Sequence, residues 1–437
     1  ILPSTLVAYM VSYVATAVVI PSCPTAIVMS SLVGSFVWAL VFVIFLCVAA
    51  QFNIISILVG GFILGAVAYY LRLVWRLIPF AAVNLSVSLK GVSANCGIYI
   101  VAMIFSVAGF VCSILWLYIL VGVMQAMDRS YEETHPRPEG VPEKEYREKE
   151  EGSPLHGFVF FSMLVSLYWT SKILGNTVQV TVAGVMATWC FVEQDAQSCC
   201  SPGVYSSLYR SLTYSFGSIC MGSLLQALIT AIRVVIQSAR NQANSSRDEC
   251  GGCGTVTLCI LECIAKCLED VLEYFNQWAW VYVGIYGYSY LEGGRKVVEL
   301  FKARGFTAFV TNDLVGYVLG FTNFTVGILT GSIAILIQSQ VDNSHSQDTS
   351  SLSYIYGSAT SPHWISMGVG FIVGIAVSSV MMNVVRGAVN TLIVCFADNP
   401  SKMEDNHPES TQRMAQAWAT AFPDAGLNSR PQYSVDV

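Results

Sequence analysis

The sequence predicts an all-α integral membrane protein, a polytopic helical bundle with about nine spans visible of ten. It adds an interfacial amphipathic helix on the cytoplasmic side. Three observations carry this. Of 437 residues, 54% are hydrophobic and only 11% charged, against about 25% charged in ordinary soluble domains. Mean hydropathy is +0.59. Apolar stretches of spanning length recur almost from end to end, so the chain reads as one membrane domain, 1–397, followed by a cytoplasmic tail, 398–437.

A spanning helix needs about 20 mostly apolar residues. Nine stretches qualify, at about 3–20, 25–49, 53–78, 97–125, 156–174, 176–192, 212–236, 312–338 and 364–394. The fifth and sixth are separated by hardly any turn. As one helix they would run about 55 Å at 1.5 Å per residue, well beyond a bilayer. A tight hairpin or a broken helix is therefore expected, with Gly175-Asn176 as the break.

Basic residues orient the chain. If the first span runs inward, Lys90, Lys172, Arg240, Arg247, Lys266 and Lys402 fall on the cytoplasmic side. The outer side keeps the 127–155 loop, where acids outnumber bases in "EETHPRPEGVPEKEYREKEEG". Nine spans with an inner C-terminus place Ile1 outside, so an upstream span is expected.

The segment 237–311 is read as a cytoplasmic loop. Leu261, Ala265, Leu268, Val271, Leu272 and Phe275 make an apolar stripe at helical spacing, and Glu262, Lys266, Glu269, Asp270 and Glu273 take the other face. That pattern predicts a helix lying in the interface. "FNQWAWVYVGIYGYSYL", 275–291, follows as a re-entrant segment or a rival tenth span. If it crosses and 156–192 crosses only once, the 237–270 segment moves outside, which its basic residues disfavour.

Composition and motifs exclude several functions. Net charge is -6 and the 22 basic residues are scattered, so no nucleic-acid partner is expected. The five His lie outside the span cores, and HExxH, GxSxG and P-loop motifs are missing. No enzyme activity, metal or cofactor is expected. The fourteen Cys lie mostly in apolar stretches, where thiols act as small hydrophobes. Cys199 and Cys200 are open to pairing elsewhere if their loop is extracytoplasmic. Cys259, Cys263 and Cys267 share one helical face, with palmitoylation as an alternative to buried or lipid-facing thiols.

The candidate substrate site falls in "SLYWTSKILGNTVQVTVAGVMATWCF", 166–191. Amides left unpaired in lipid are costly, so they face other helices or a water-lined cavity. Aromatic faces hold a quaternary ammonium, whose charge is diffuse, by cation–π attraction. Trp169 with Asn176 and Gln179 is the centre of the site, with Tyr168, Thr181 and Trp116 around it. Gly217, Gly222 and Ala227, and the glycines of "VGILTGSIAI" and "GVGFIVGIAVSS", read as close helix contacts.

The same segment resembles the W-T…N-V-x-H-V-T-x-(A/S)-G…W-Y-F element of choline-transporter-like proteins, especially the fungal and protist branch named for pH-nine sensitivity. "WRLIPFAAVNL", "SLTYSFGSICMGSLLQALITAIRVV", "FNQWAWVYVGIYGYSYLEGGRKVVELF" and "CFADNPSKMEDNHPE" resemble further elements in the family's order. The resemblance covers about Trp75 to Glu409. It implies ten spans with both termini cytoplasmic, a plasma-membrane location, and choline or a related ethanolamine compound as cargo, with proton exchange as one coupling. Gln179 stands where the branch usually has His, which weakens a proton-relay role there, and Cys190 replaces an aromatic. A transporter of an organic cation is the leading reading. A non-transporting membrane scaffold or stress-response protein is the alternative, and a lipid-modifying enzyme, without a catalytic pair, ranks last.

Overall fold

A computed structural model describes residues 2–49, 53–134, 154–245, 251–304, 307–345 and 362–421. Helix α1 (Leu2–Val14) passes through a π turn (Ala15–Val19) to a short helical end at Ile20–Ser22. Then come α2 (Pro24–Ala49), α3 (Ile54–Val74), a 3-10 turn (Trp75–Leu77), α4 (Ile78–Ala94), α5 (Gly97–Thr134) and α6 (Pro154–Phe191). They are followed by α7 (Pro202–Leu212), α8 (Phe216–Ser245), α9 (Gly251–Tyr286) and α10 (Tyr290–Arg304). The chain ends with α11 (Thr307–His345), α12 (Pro362–Asp398), α13 (Pro400–Asn406) and α14 (Pro408–Ala421). No strand occurs among the described residues. Most of the acidic 127–155 loop lies outside them.

Seven helices among the described residues are long and apolar enough to cross a membrane. Two differences account for the fall from nine. The first expected span, 3–20, is interrupted. Ser12 and Thr16 donate their hydroxyls to the Ala8 and Ser12 carbonyls, and Pro21, lacking an N–H, follows a π turn that resets the helix. The apolar part, Thr5–Val14, is short.

The second difference is α6, which is continuous through Gly175-Asn176 for 38 residues, about 57 Å. The expected hairpin or break is not there. Its polar residues are satisfied without opening the backbone ladder: Thr177 and Thr181 donate back to the Ile173 and Thr177 carbonyls, and Asn176 donates sideways. Lys172, expected at the cytoplasmic edge of a break, therefore lies near the middle of one helix.

The helices form two compact units. The first contains Ile1–Tyr99, Val185–Val204 and Val298–Val437. Its centre is α4, a helix the hydropathy reading missed, with Phe80, Ala81, Leu85, Leu89 and Val92 buried. Pro79 sits in its first turn, where a missing N–H is harmless. Phe80 meets Trp418 of α14 edge to face at 5.3 Å. Helices α11 and α12 pack through the expected glycines: a Cβ at Gly331 would lie 2.9 Å from the Met367 carbonyl oxygen, and one at Gly370 2.7 Å from Ala334.

The first unit also joins two turns. Cys96 and Cys199 form a disulfide. Beside it Asn95 donates to the Ala196 carbonyl (2.8 Å) and accepts from Ser201 (2.9 Å). Only glycine fits at Gly97, where a Cβ would lie 2.0 Å from the Cys199 carbonyl oxygen. Two crossings at 156–192 would separate these cysteines across the membrane; one crossing by α6 brings them to the same side.

The second unit contains Ile100–Gly184 and Tyr205–Val297. Val180, Ile219, Ala279, Trp280, Val283 and Tyr290 form its core. Gly222 admits Trp280 and Tyr290, whose rings lie 2.5 and 2.6 Å from where a Cβ would be. Gly287, at a φ of +71°, makes the left-handed turn from α9 into α10. The expected interfacial helix is the first part of α9, and its faces differ from the expectation. Glu262 and Glu269 turn inward to ion pairs with Arg240 and Arg233 of α8, while Leu261, Leu268 and Val271 are exposed.

Candidate functional site

In the second unit, α6 presents Trp169 and Asn176 seven residues apart, which on a helix is one face. The Trp169 indole N–H donates to the Cys220 carbonyl of α8 (3.0 Å), so the ring's edge is tied to a neighbouring helix. Asn176 is buried and spends both amide hydrogens on α8, one on the Ser223 hydroxyl and one on Gln226 Oε1, each at 2.9 Å. Ser223 and Gln226 were not among the expected site residues. A buried Asn needs such partners, but which helix supplies them depends on packing.

The seam continues along α8. Thr230, four residues after Gln226, donates to Glu269 Oε1 of α9 (2.7 Å). Arg233 Nε lies 2.7 Å from Glu269 Oε2. Further on, Arg240 pairs with Glu262. Residues 223, 226, 230 and 233 follow steps of three and four, one helical stripe. An apolar span thus carries a polar ladder whose only charges are compensated from α9. Glu269 is 17% exposed, so much of the pair is removed from water, where a charge needs a partner.

The other expected residues are dispersed. The Trp116 indole N–H donates to the Met163 carbonyl (3.0 Å). The Thr181 hydroxyl lies 3.1 Å from the Ser211 hydroxyl of α7. Tyr168 and Gln179 are half-buried, and their side chains make no hydrogen bond among the described residues. They are eleven residues apart, three turns of helix, so they share a stripe adjacent to that of Trp169 and Asn176. Lys172 lies on the same stripe.

The comparisons with known proteins agree with this architecture. Protein PNS1 of Gibberella zeae is 28% identical over 342 residues, 78% of this chain and 58% of that protein. Protein PNS1 of Neurospora crassa is 28% identical over 341 residues, 78% of this chain and 57% of its own length. Protein PNS1 of Saccharomyces cerevisiae is 24% identical over 263 residues, covering 57% of this chain and 44% of the yeast protein. The chain thus spans less than two thirds of the length of each. A family model described as plasma-membrane choline transporter matches residues 57–401. That is most of the chain and includes the whole α6–α8–α9 seam: the protein is a membrane protein belonging to the plasma-membrane choline transporter family.

Proposed function

We propose that the protein transports choline or a related organic cation, such as an ethanolamine compound, across a membrane without covalent chemistry. The plasma membrane is the location proposed with it. The observation that carries this reading is the buried Asn176–Ser223–Gln226 network beside the half-buried Trp169. A quaternary ammonium donates no strong hydrogen bond and asks mainly for aromatic faces, which Trp169 and Tyr168 supply. The amides hold α6 and α8 in register around it, with Gln179, Thr181 and Trp116 farther out.

One observation favours a second reading. Both Asn176 N–H groups are already used, so the network also suits a sealed contact in a membrane scaffold or stress-response component that transports nothing. Uptake of radiolabelled choline into proteoliposomes separates the two. Saturable uptake that excess unlabelled choline suppresses supports transport. Folded, inserted protein giving no more uptake than empty vesicles supports the scaffold.

A further inference from the structure

The continuous α6 leaves one charge unexplained. Lys172 is eighteen residues from Pro154 and nineteen from Phe191. Both ends of the helix are marked by polar contacts. Near the start, His156 lies 3.6 Å from Asp128; near the end, the Trp189 carbonyl meets His407. Roughly 24 Å of helix separates Lys172 from either mark, several times the reach of a lysine side chain. The residues between are too apolar to lie in water. Lys172 is half-buried and makes no ion pair or hydrogen bond among the described residues. An ammonium at that depth is not stable against lipid, so it faces a water-filled cavity or a ligand.

Its surroundings favour the cavity. Gly175, one turn away, is exposed, and a Cβ built on it would meet nothing within 4 Å among the described residues. Tyr168 and Gln179, both without hydrogen-bond partners among the described residues, share the stripe. Trp169 and Tyr168 stand three and four residues before Lys172, so their side chains start about 5–6 Å from it. An isolated cation placed on those rings would be repelled by Lys172. A molecule with a quaternary ammonium at one end and an anionic group at the other would fit both.

We infer that Tyr168, Trp169, Lys172 and Gln179 form a binding site for a zwitterion whose quaternary ammonium lies on the aromatic rings and whose carboxylate or phosphate pairs with Lys172. This rests on the transport reading above and shifts its substrate from a bare cation such as choline to a zwitterion that carries the same quaternary ammonium.

The test measures equilibrium binding of choline, glycine betaine and phosphocholine to the purified full chain and to Lys172→Gln. Gly175→Cys is labelled in parallel with a membrane-impermeant thiol reagent in proteoliposomes and read by peptide mass. The expected result is tighter binding of a zwitterion than of choline. Lys172→Gln should weaken zwitterion binding about tenfold or more, the scale of one charge-assisted hydrogen bond, and improve choline binding. Betaine and phosphocholine distinguish a carboxylate-bearing from a phosphate-bearing ligand. Choline bound more tightly than either zwitterion, with Lys172→Gln unchanged, would overturn the inference and leave the transport reading standing. If none of the three binds, both fall. An unlabelled Gly175→Cys in folded protein would mean that the stripe faces lipid, and the inference fails whatever binds.

Discussion

His407 lies flat on Trp189, ring centroids 3.9 Å apart and planes 23° apart, with its Nε2 2.8 Å from the Trp189 carbonyl oxygen. Asn406 beside it donates to the Cys190 carbonyl (3.4 Å). The last carbonyls of a helix have no partner within the helix, so the α13–α14 junction caps the helix that carries the candidate site. His407→Ala should cost about 1 kcal/mol for the hydrogen bond plus the ring contact, lowering the apparent melting temperature in detergent. His407→Phe keeps the stack and should recover part of it. Equal melting of Ala, Phe and wild-type proteins would show that the contact contributes nothing.

The Arg233–Glu269 pair makes a second prediction. Removing either partner strands a charge that the other half of the pair compensates. Glu269→Gln and Arg233→Gln should each destabilise by about 1.5–3 kcal/mol, the worth of a hydrogen bond to a charged group. The double variant should be more stable than the sum of the two losses implies. A double-mutant cycle on thermal unfolding reads this coupling directly. Simple additivity would mean that Arg233 and Glu269 do not interact energetically.

Buried Asn84 of α4 predicts the opposite sign. Neither atom of its amide has a hydrogen-bond partner among the described residues, and the residue is fully buried. Such an amide costs about 1–3 kcal/mol. Asn84→Leu, of similar size, should therefore raise the melting temperature. Loss of stability would show that the amide is partnered in the folded protein.

Membrane sidedness follows from the continuous α6. The tail meets Trp189, so it lies on the same side as the Cys96–Cys199 turns; crossings by α8, α11 and α12 alone would leave it opposite, so this placement requires α9 to cross as well. If the tail is cytoplasmic, Asn241 at the far end of α8 should be outside, the reverse of what basic residues alone suggest, and the Cys96–Cys199 pair should be held as thiols in the reducing cytosol. Asn241→Cys in intact cells should react with an impermeant maleimide. Reaction only after permeabilisation would restore the cytoplasmic placement of 237–311.

The spans α2, α5, α8, α11 and α12 were legible because long apolar runs have few stable fates other than helices in lipid. Helix α4 was not, because "IPFAAVNLSVSLKGVSA" is buried by protein rather than lipid, and hydropathy does not report that kind of burial. For α6 the bilayer thickness was the only ruler available. Sequence could not show that Asn176 reaches Ser223 and Gln226, about 50 residues away, and so leaves the backbone intact. Glu262 and Glu269 looked solvent-facing for the same reason: their arginines lie on another helix. Trp169 and Asn176 stood out by their chemistry, whereas Lys172 was hidden by the break assigned beside it.

Trp169 carries the most discriminating prediction, because its two possible roles use different parts of the ring. The indole N–H is spent on Cys220, which is a packing contact, while the proposed binding of a quaternary ammonium would use the ring face. Trp169→Phe loses the N–H and keeps a face; Trp169→Leu loses both but keeps apolar bulk. If the face binds substrate, Trp169→Ala and Trp169→Leu should each forfeit a cation–π contact of about 2 kcal/mol, roughly thirty-fold in affinity. Trp169→Phe should lose less. If only the N–H matters, Phe and Leu should be equally destabilised, by about 1 kcal/mol, with ligand affinity unchanged. Melting temperature and half-saturation measured on the same three variants separate these outcomes. A Leu variant with wild-type affinity would reduce Trp169 to a peg between α6 and α8.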